Sequence, residues 1–218
     1  FVDVTEGSGF DALDDMIQGF GVGDFDGDGD EDIYLTAQTL DVMMMNNGDG
    51  TFVDERAIRL PGISATSRSV AIADYDVDGD LDIYVVRSIS LTDPPFSHGE
   101  YNTLLINDGT GRFVDGTVAA GLDSLANSWA AAWTDIDEDG WLDLIVANDY
   151  GPLSVPLQAF RNQGPSLSGE VVFEDMSAEW GFDRGLHGMG IGVQDLNWDG
   201  NLDYFVTSIG RHGVLLGS

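Results

Sequence analysis

Acidic residues recur in this chain at a spacing that suits metal chemistry. Four segments read D-x-[DN]-x-D-G-x-x-D: Asp24, Asp26, Asp28, Asp30 and Asp32; Asp74, Asp76, Asp78, Asp80 and Asp82; Asp135, Asp137, Asp139, Trp141 and Asp143; and Asp195, Asn197, Asp199, Asn201 and Asp203. Oxygens at the first, third and fifth positions converge on one ion when a tight loop curls around it. Glycine at the sixth position (Gly29, Gly79, Gly140, Gly200) permits the turn. The seventh residue can offer its backbone carbonyl, and the ninth returns a last carboxylate. Hard oxygen donors without His or Cys favour Ca²⁺ over a transition metal, and over Mg²⁺, which keeps several waters. The expectation is about four Ca²⁺ per chain, with the fourth loop weakest because Asn197 and Asn201 replace acids there. An EF-hand is excluded, because that loop needs Glu at position twelve and this chain has Leu35, Val85, Val146 and Val206. Solvated Asp-rich turns that bind nothing are the bland alternative, and four copies with the same glycine argue against it.

Composition points the same way. Of 218 residues, 39 are acidic and eight basic, for a net charge of −31; the bases are all Arg. Asp outnumbers Glu 31 to 8, and the four segments hold 19 of the 39 acids, so the charge is concentrated in loops. Such a surface repels nucleic acid and anionic membrane, and no apolar run reaches transmembrane length, so neither nucleic-acid binding nor membrane insertion is expected. Without cysteine there is no disulfide framework, thiolate site or Cys nucleophile. The chain begins at Phe1 without Met or a signal-peptide pattern, as a processed or partly represented chain would.

The loops must be held by strands. They start at residues 24, 74, 135 and 195, the period of a repeat architecture. Before each, residues alternate between a tiny face (Gly19/Gly21, Ser69/Ala71, Ala130/Ala132, Gly190/Gly192) and a mostly bulkier one (Phe20/Val22, Val70/Ile72, Ala131/Trp133, Ile191/Val193). Period two means a strand, and tiny residues suit crowding near a common axis. Apolar second strands follow at Ile33, Ile83, Leu144 and Tyr204, and third strands at 42–45, 103–106, 158–160 and 214–216. Asn/Gly turns lead to fourth strands marked Phe52/Asp54, Phe113/Asp115 and Phe173/Asp175. Four short antiparallel strands per unit make an all-β chain, a β-propeller of four-stranded blades in one domain, 1–218. Its units are 19–63, 69–122, 130–182, and 188–218 with 1–10, residues 1–5 completing the last blade in cis or, from a neighbouring chain, in trans. Residues 88–100, 151–156 and 164–169 read as loop insertions and 11–18 as a short helix. The Met43–Met45 run reads as core.

These residues resemble the FG-GAP/VCBS repeat family, including the propeller of integrin α subunits. The calcium loop appears four times, Asn47–Asp54 matches the bacterial wording, and Phe20-Gly21 fits the first signature. The resemblance implies calcium-stabilised propellers, usually extracellular or at the cell surface, serving adhesion, ligand binding or scaffolding. The functional expectation is a binding or adhesion module with a protein or carbohydrate ligand outside the cell. A self-assembling subunit of an extracellular fibre or lattice is the alternative, and an accessory propeller of a polysaccharide-active enzyme is a third reading. Trp141 and Trp198 are either sugar-stacking platforms or inter-blade packing residues. No catalysis is expected: His98, His187 and His212 read as ordinary histidines, and no G-x-S-x-G elbow is present.

Overall fold

A computed structural model describes residues 1–64, 66–88, 100–149 and 155–217. The insertions expected at 88–100 and 151–156, and His98, fall largely or wholly outside the described residues. Alternation and β-branched runs form strands as expected. In chain order they are β1 (Ile17–Gly23), β2 (Asp32–Ala37), β3 (Val42–Asn46), β4 (Phe52–Asp54), β5 (Ser67–Ala73), β6 (Asp82–Arg87), β7 (Glu100–Tyr101), β8 (Thr103–Asn107), β9 (Phe113–Asp115), β10 (Leu125–Ala126), β11 (Ser128–Thr134), β12 (Asp143–Asn148), β13 (Gln158–Pro165), β14 (Val171–Asp175), β15 (Gly188–Gln194), β16 (Asp203–Ser208) and β17 (Gly213–Leu215). They build three antiparallel four-stranded sheets, β1-β2-β3-β4, β5-β6-β8-β9 and β11-β12-β13-β14. A three-stranded sheet, β15-β16-β17, comes fourth, and β7 and β10 pair separately. The first strand of each large sheet (β1, β5, β11, β15) lies beside that of the next.

The sheets pack face to face through apolar clusters. One joins Tyr75 and Tyr84 of the second unit to Trp133, Phe160 and Phe173 of the third. Another joins Phe25, Tyr34 and Met43 to Ile83, Leu105 and Phe113. Met43, Met44 and Met45 are buried, as expected of core. The tiny strand faces let neighbouring first strands come close, as at Gly19, where a Cβ would stand 2.7 Å from Arg68 O. A Cβ on Gly21 would stand 2.4 Å from Ile72 and 2.7 Å from Val70 of β5, so the small residues are sockets for the bulky face of the next sheet.

Three local expectations change. Residues 11–18 form no helix: Phe10–Ala12 make one 3₁₀ turn and β1 begins at Ile17, while a short α-helix covers Arg56–Arg59. The 164–169 segment is no insertion beyond a hairpin but its extension, with Pro165 paired to Val171. Residues 1–5 join no strand, and the fourth sheet keeps three. The physical reason is that their neighbours are committed elsewhere. The Phe52 amide donates to Ser8 O at 2.7 Å and Phe10 meets Phe52 edge-on at 5.0 Å, which fixes residues 8–10 on the first sheet. No contact like those joining successive sheets brings β15 to β1, so the open edge of β17 is not presented to residues 1–5.

Candidate metal loops

Each acidic loop connects the first strand of a sheet to its second. The position-one carboxylate organises the turn: Asp24 accepts the amides of Gly27, Asp28 and Gly29 at 2.9–3.1 Å, and Asp195 those of Trp198, Asp199 and Gly200. Asp74 and Asp135 accept the amides of the fifth and sixth residues of their loops in the same way. The sixth-position glycines have φ of 94° to 102°. The turn expected at these glycines is therefore present. Position four, not singled out in the sequence, is also left-handed: Gly27, Val77, Glu138 and Trp198 have φ of 59° to 74°. Only Gly27 marks this position by residue type, so the signal is absent from the other three loops.

Asp32, Asp82, Asp143 and Asp203 at position nine begin the second strands and are buried to about 1% exposure or less. Each draws a strand against the loop. Asp143 accepts the amides of Ile136 and Asn162, and Asp203 those of Leu196 and Gly217. Burial is the main cause that pushes the Asp32 and Asp143 carboxyls up to about 6 and Asp82 up to about 8, with neighbouring loop carboxylates adding to it and donated amides opposing it.

Three acidic triads bring oxygens within 4.8 Å of one another: Asp24, Asp26 and Asp32; Asp74, Asp76 and Asp78; Asp135, Asp137 and Asp143. Asp28, Asp82 and Asp139 lie outside these triads. The seventh residues turn their side chains to the hairpin between third and fourth strands, where a Cβ on Gly48, Gly109 or Gly164 would strike Asp30, Asp80 or Trp141. In the fourth loop the acids form no triad among the described residues, and Asn197 donates to Asp199 at 2.8 Å. That contact and the Asn201 amide hold Asp199 below the usual carboxylate range, the amide foremost.

Do these residues fit a cation? Two buried carboxylate oxygens, Asp26 Oδ1 and Asp82 Oδ2, have no hydrogen-bond partner. Orphaned buried acceptors are costly, and a bound cation removes that cost. All-oxygen donors on a loop with free lone pairs fit a hard cation.

Two other functions of the loops were not legible. Position two carries an anchor to the next sheet: Phe25 meets Phe113 edge-on at 5.8 Å, and Tyr75 lies 5.7 Å from Trp133 and 5.8 Å from Phe173. Two third-strand asparagines read as turn residues, Asn107 and Asn162, are staples. Asn107 donates to Phe25 O and Leu81 O, and Asn162 to Tyr75 O and Leu142 O, at 2.8–3.1 Å. Each therefore ties its own loop to the loop of the preceding unit.

The tryptophans depart from the inter-blade reading. Trp141 lies over Gly164 of its own unit, and Trp198 is 90% exposed. His187 pairs with buried Asp149 at 2.9 Å, and His212 accepts the Ser208 amide. Between the first two sheets a cavity of about 380 Å³ is lined by residues including Tyr34, Asp41, Arg56, Leu60 and Arg87. Arg87 is buried there, donates to Ser67 and Thr103, and stands 3.6 Å from Asp41. No described helix is long and apolar enough to cross a membrane.

Residues 10–85, 96–146 and 135–206 match the FG-GAP-like repeat. No curated protein matches the chain. Among solved structures it is similar to one described as the basis of specific recognition of non-reducing terminal N-acetylglucosamine by an Agrocybe aegerita lectin. The two are 20% identical with a TM-score of 0.49, over 91% of this chain and 49% of that one, so this chain spans about half the length of its neighbour.

Proposed function

Because the chain belongs to the FG-GAP-like repeat family, we propose that it is a calcium-stabilised module of β-propeller type that binds a protein or carbohydrate ligand outside the cell. The observation that carries the calcium reading is the pair of partnerless buried oxygens on Asp26 and Asp82 inside all-oxygen loops. Asp24, Asp26, Asp28 and Asp32 would hold the first ion with the Asp30 carbonyl. Asp74, Asp76, Asp78 and Asp82 with the Asp80 carbonyl would hold the second, and Asp135, Asp137, Asp139 and Asp143 with the Trp141 carbonyl the third. Asp195, Asn197, Asp199 and Asp203 with the Asn201 carbonyl offer the fourth site. A bound cation neutralises carboxylates that the fold has buried, and it stiffens loops whose second residue anchors the neighbouring sheet. Cytosolic calcium is too scarce to fill sites with Kd of ~10⁻⁴–10⁻³ M, which supports an extracellular or cell-surface setting.

Titration calorimetry with CaCl₂ and with MgCl₂ tests this reading. The expected result is calcium binding at three sites and a weaker fourth, with magnesium bound less tightly. No heat with either cation, or tightest binding at the fourth loop in single-loop Asp→Asn variants, overturns it. Binding rather than catalysis is the proposed activity, and the cavity beside Arg87 and the exposed Trp198 are the surfaces offered to a ligand. Glycan and protein arrays probed with wild type and Trp198→Ala report which class is bound; turnover of a polysaccharide by the isolated chain would refute the binding-only reading.

A further inference from the structure

The cavity between the first two sheets has a charged donor in its wall that the protein leaves unused. Arg87 is 2% exposed. Its Nε donates to Thr103 and its Nη1 to Ser67, both at 2.9 Å. Nη2 has the Asp41 carboxylate at 3.6 Å, outside hydrogen-bond reach. Asp41 is already served: it accepts the Ala37 amide at 2.9 Å, the Tyr34 hydroxyl at 2.7 Å and the Ser67 hydroxyl at 2.8 Å. Burial, and then the Asp41 charge, push the Tyr34 pKa well above its usual value, so that hydroxyl stays a donor.

The direction of Nη2 follows from its neighbours. Arg87 stands in the wall between two cavities, of about 380 and 320 Å³. Thr103, which takes Nε, lines the second. Asp41, on the Nη2 side, lines the first together with Tyr34, so Nη2 faces the first. The other cation of that cavity is committed, because Arg56 donates to Asp15 and Asp54. Leu60, Pro61, Ile63 and Leu105 make the wall largely apolar. A volume of this size suits a small ligand group, and an oxygen brought to Nη2 would recover the cost of its missing acceptor.

These features select among ligands. A sugar carries hydroxyls over most of its surface, and aliphatic walls with one open donor would strip their water without replacing it. A carboxylate would meet Nη2 but stand beside Asp41, a like charge at a buried place. An uncharged carbonyl next to an aliphatic side chain fits both the donor and the walls, and a peptide offers that unit.

We propose that this cavity is a peptide-binding pocket: it takes an aliphatic side chain of a protein ligand against Leu60, Ile63 and Leu105, while a peptide carbonyl of the ligand accepts from Arg87 Nη2. The inference rests on the reading of the chain as a ligand-binding module and narrows the ligand at this site from protein or carbohydrate to protein.

Nitrogen-15 NMR titration of the full chain tests it with three probes: N-acetyl-leucine methylamide, N-acetyl-leucine and methyl α-glucoside. The methylamide is expected to shift the amides of Leu60, Gly62 and Ile63 saturably, the free acid to bind roughly tenfold or more weakly, and the glucoside to leave them unmoved. Ala57 lines the cavity from an exposed position, so Ala57→Trp is expected to fold and to weaken the methylamide roughly tenfold. Arg87→Met is expected to weaken it as well; if that variant gives no cooperative melt, Ala57→Trp decides. No saturable shift up to roughly 50 mM methylamide overturns the proposal. So does equal or tighter binding of the acid or the glucoside, or an Ala57→Trp chain that binds like wild type. Glycan and protein arrays and calcium titration read the module independently, so array binding beside an empty cavity refutes this pocket alone.

Discussion

At the scale of the residue, backbone strain and buried charge are both stored in the loops. Val77 is β-branched, has φ of 60° and is exposed, so its side chain pays a left-handed penalty with little packing in return. Val77→Gly is expected to stabilise the chain by roughly 1 kcal/mol in urea unfolding, the penalty less the added freedom of the unfolded state. Buried charge gives a pH effect of definite sign. In the folded, metal-free chain Asp32 and Asp143 titrate at about 6 and Asp82 at about 8, all above the usual carboxylate value of 3.8. A raised acid contributes stability that is fully present at low pH and lost as pH rises through the folded value. In EDTA the melting temperature is therefore expected to fall from about pH 4 toward pH 8, more steeply below about 6, where all three carboxyls contribute, than between about 6 and 8, where Asp82 alone does. Saturating calcium favours the ionised forms and should remove or reverse that slope; a pH-independent melt in EDTA would refute the argument.

At the scale of the element, the third-strand asparagines differ in what they hold. Asn162 is fully buried and donates to two carbonyls from different units. Asn162→Ala leaves both without that donor and is expected to cost about 2–4 kcal/mol. Asn46 has one such bond and is partly exposed, so Asn46→Ala should cost about 1 kcal/mol or less. Equal losses in chemical denaturation would mean that the contact between units carries no energy. The turn character of Asn107 and Asn162 was legible from their Asn/Gly context. Their partners, 82 and 87 residues away, were not, because nothing local encodes which carbonyl a neighbouring sheet presents.

At the scale of the whole molecule, a charge of −31 opposes the compact state. Four calcium ions would bring eight positive charges to the loops where the acids are concentrated. At ten times Kd each site contributes about 1.4 kcal/mol, comparable in sum to the net stability of a typical domain. Removing calcium is expected to lower the melting temperature sharply, and raising NaCl to recover part of the loss by screening exposed charge. An EDTA melt that matches the calcium melt would contradict the first expectation, and a salt-independent EDTA melt the second.

What the sequence determined by itself was set by short-range geometry. The alternation at 19–23 and its counterparts makes strands, Gly29 and its counterparts permit the turn, and Asp24 and Asp195 organise their own loops through amides three to five residues on. Tertiary structure alone decided what depends on a neighbouring sheet. It made sockets of Gly21 and its kind, anchors of Phe25 and Tyr75, and a deeply buried carboxylate of Asp82. It also left residues 1–5 off the fourth sheet. Local spacing fixes which residues can bend or alternate, whereas burial and partnership depend on which surface another part of the chain brings against them.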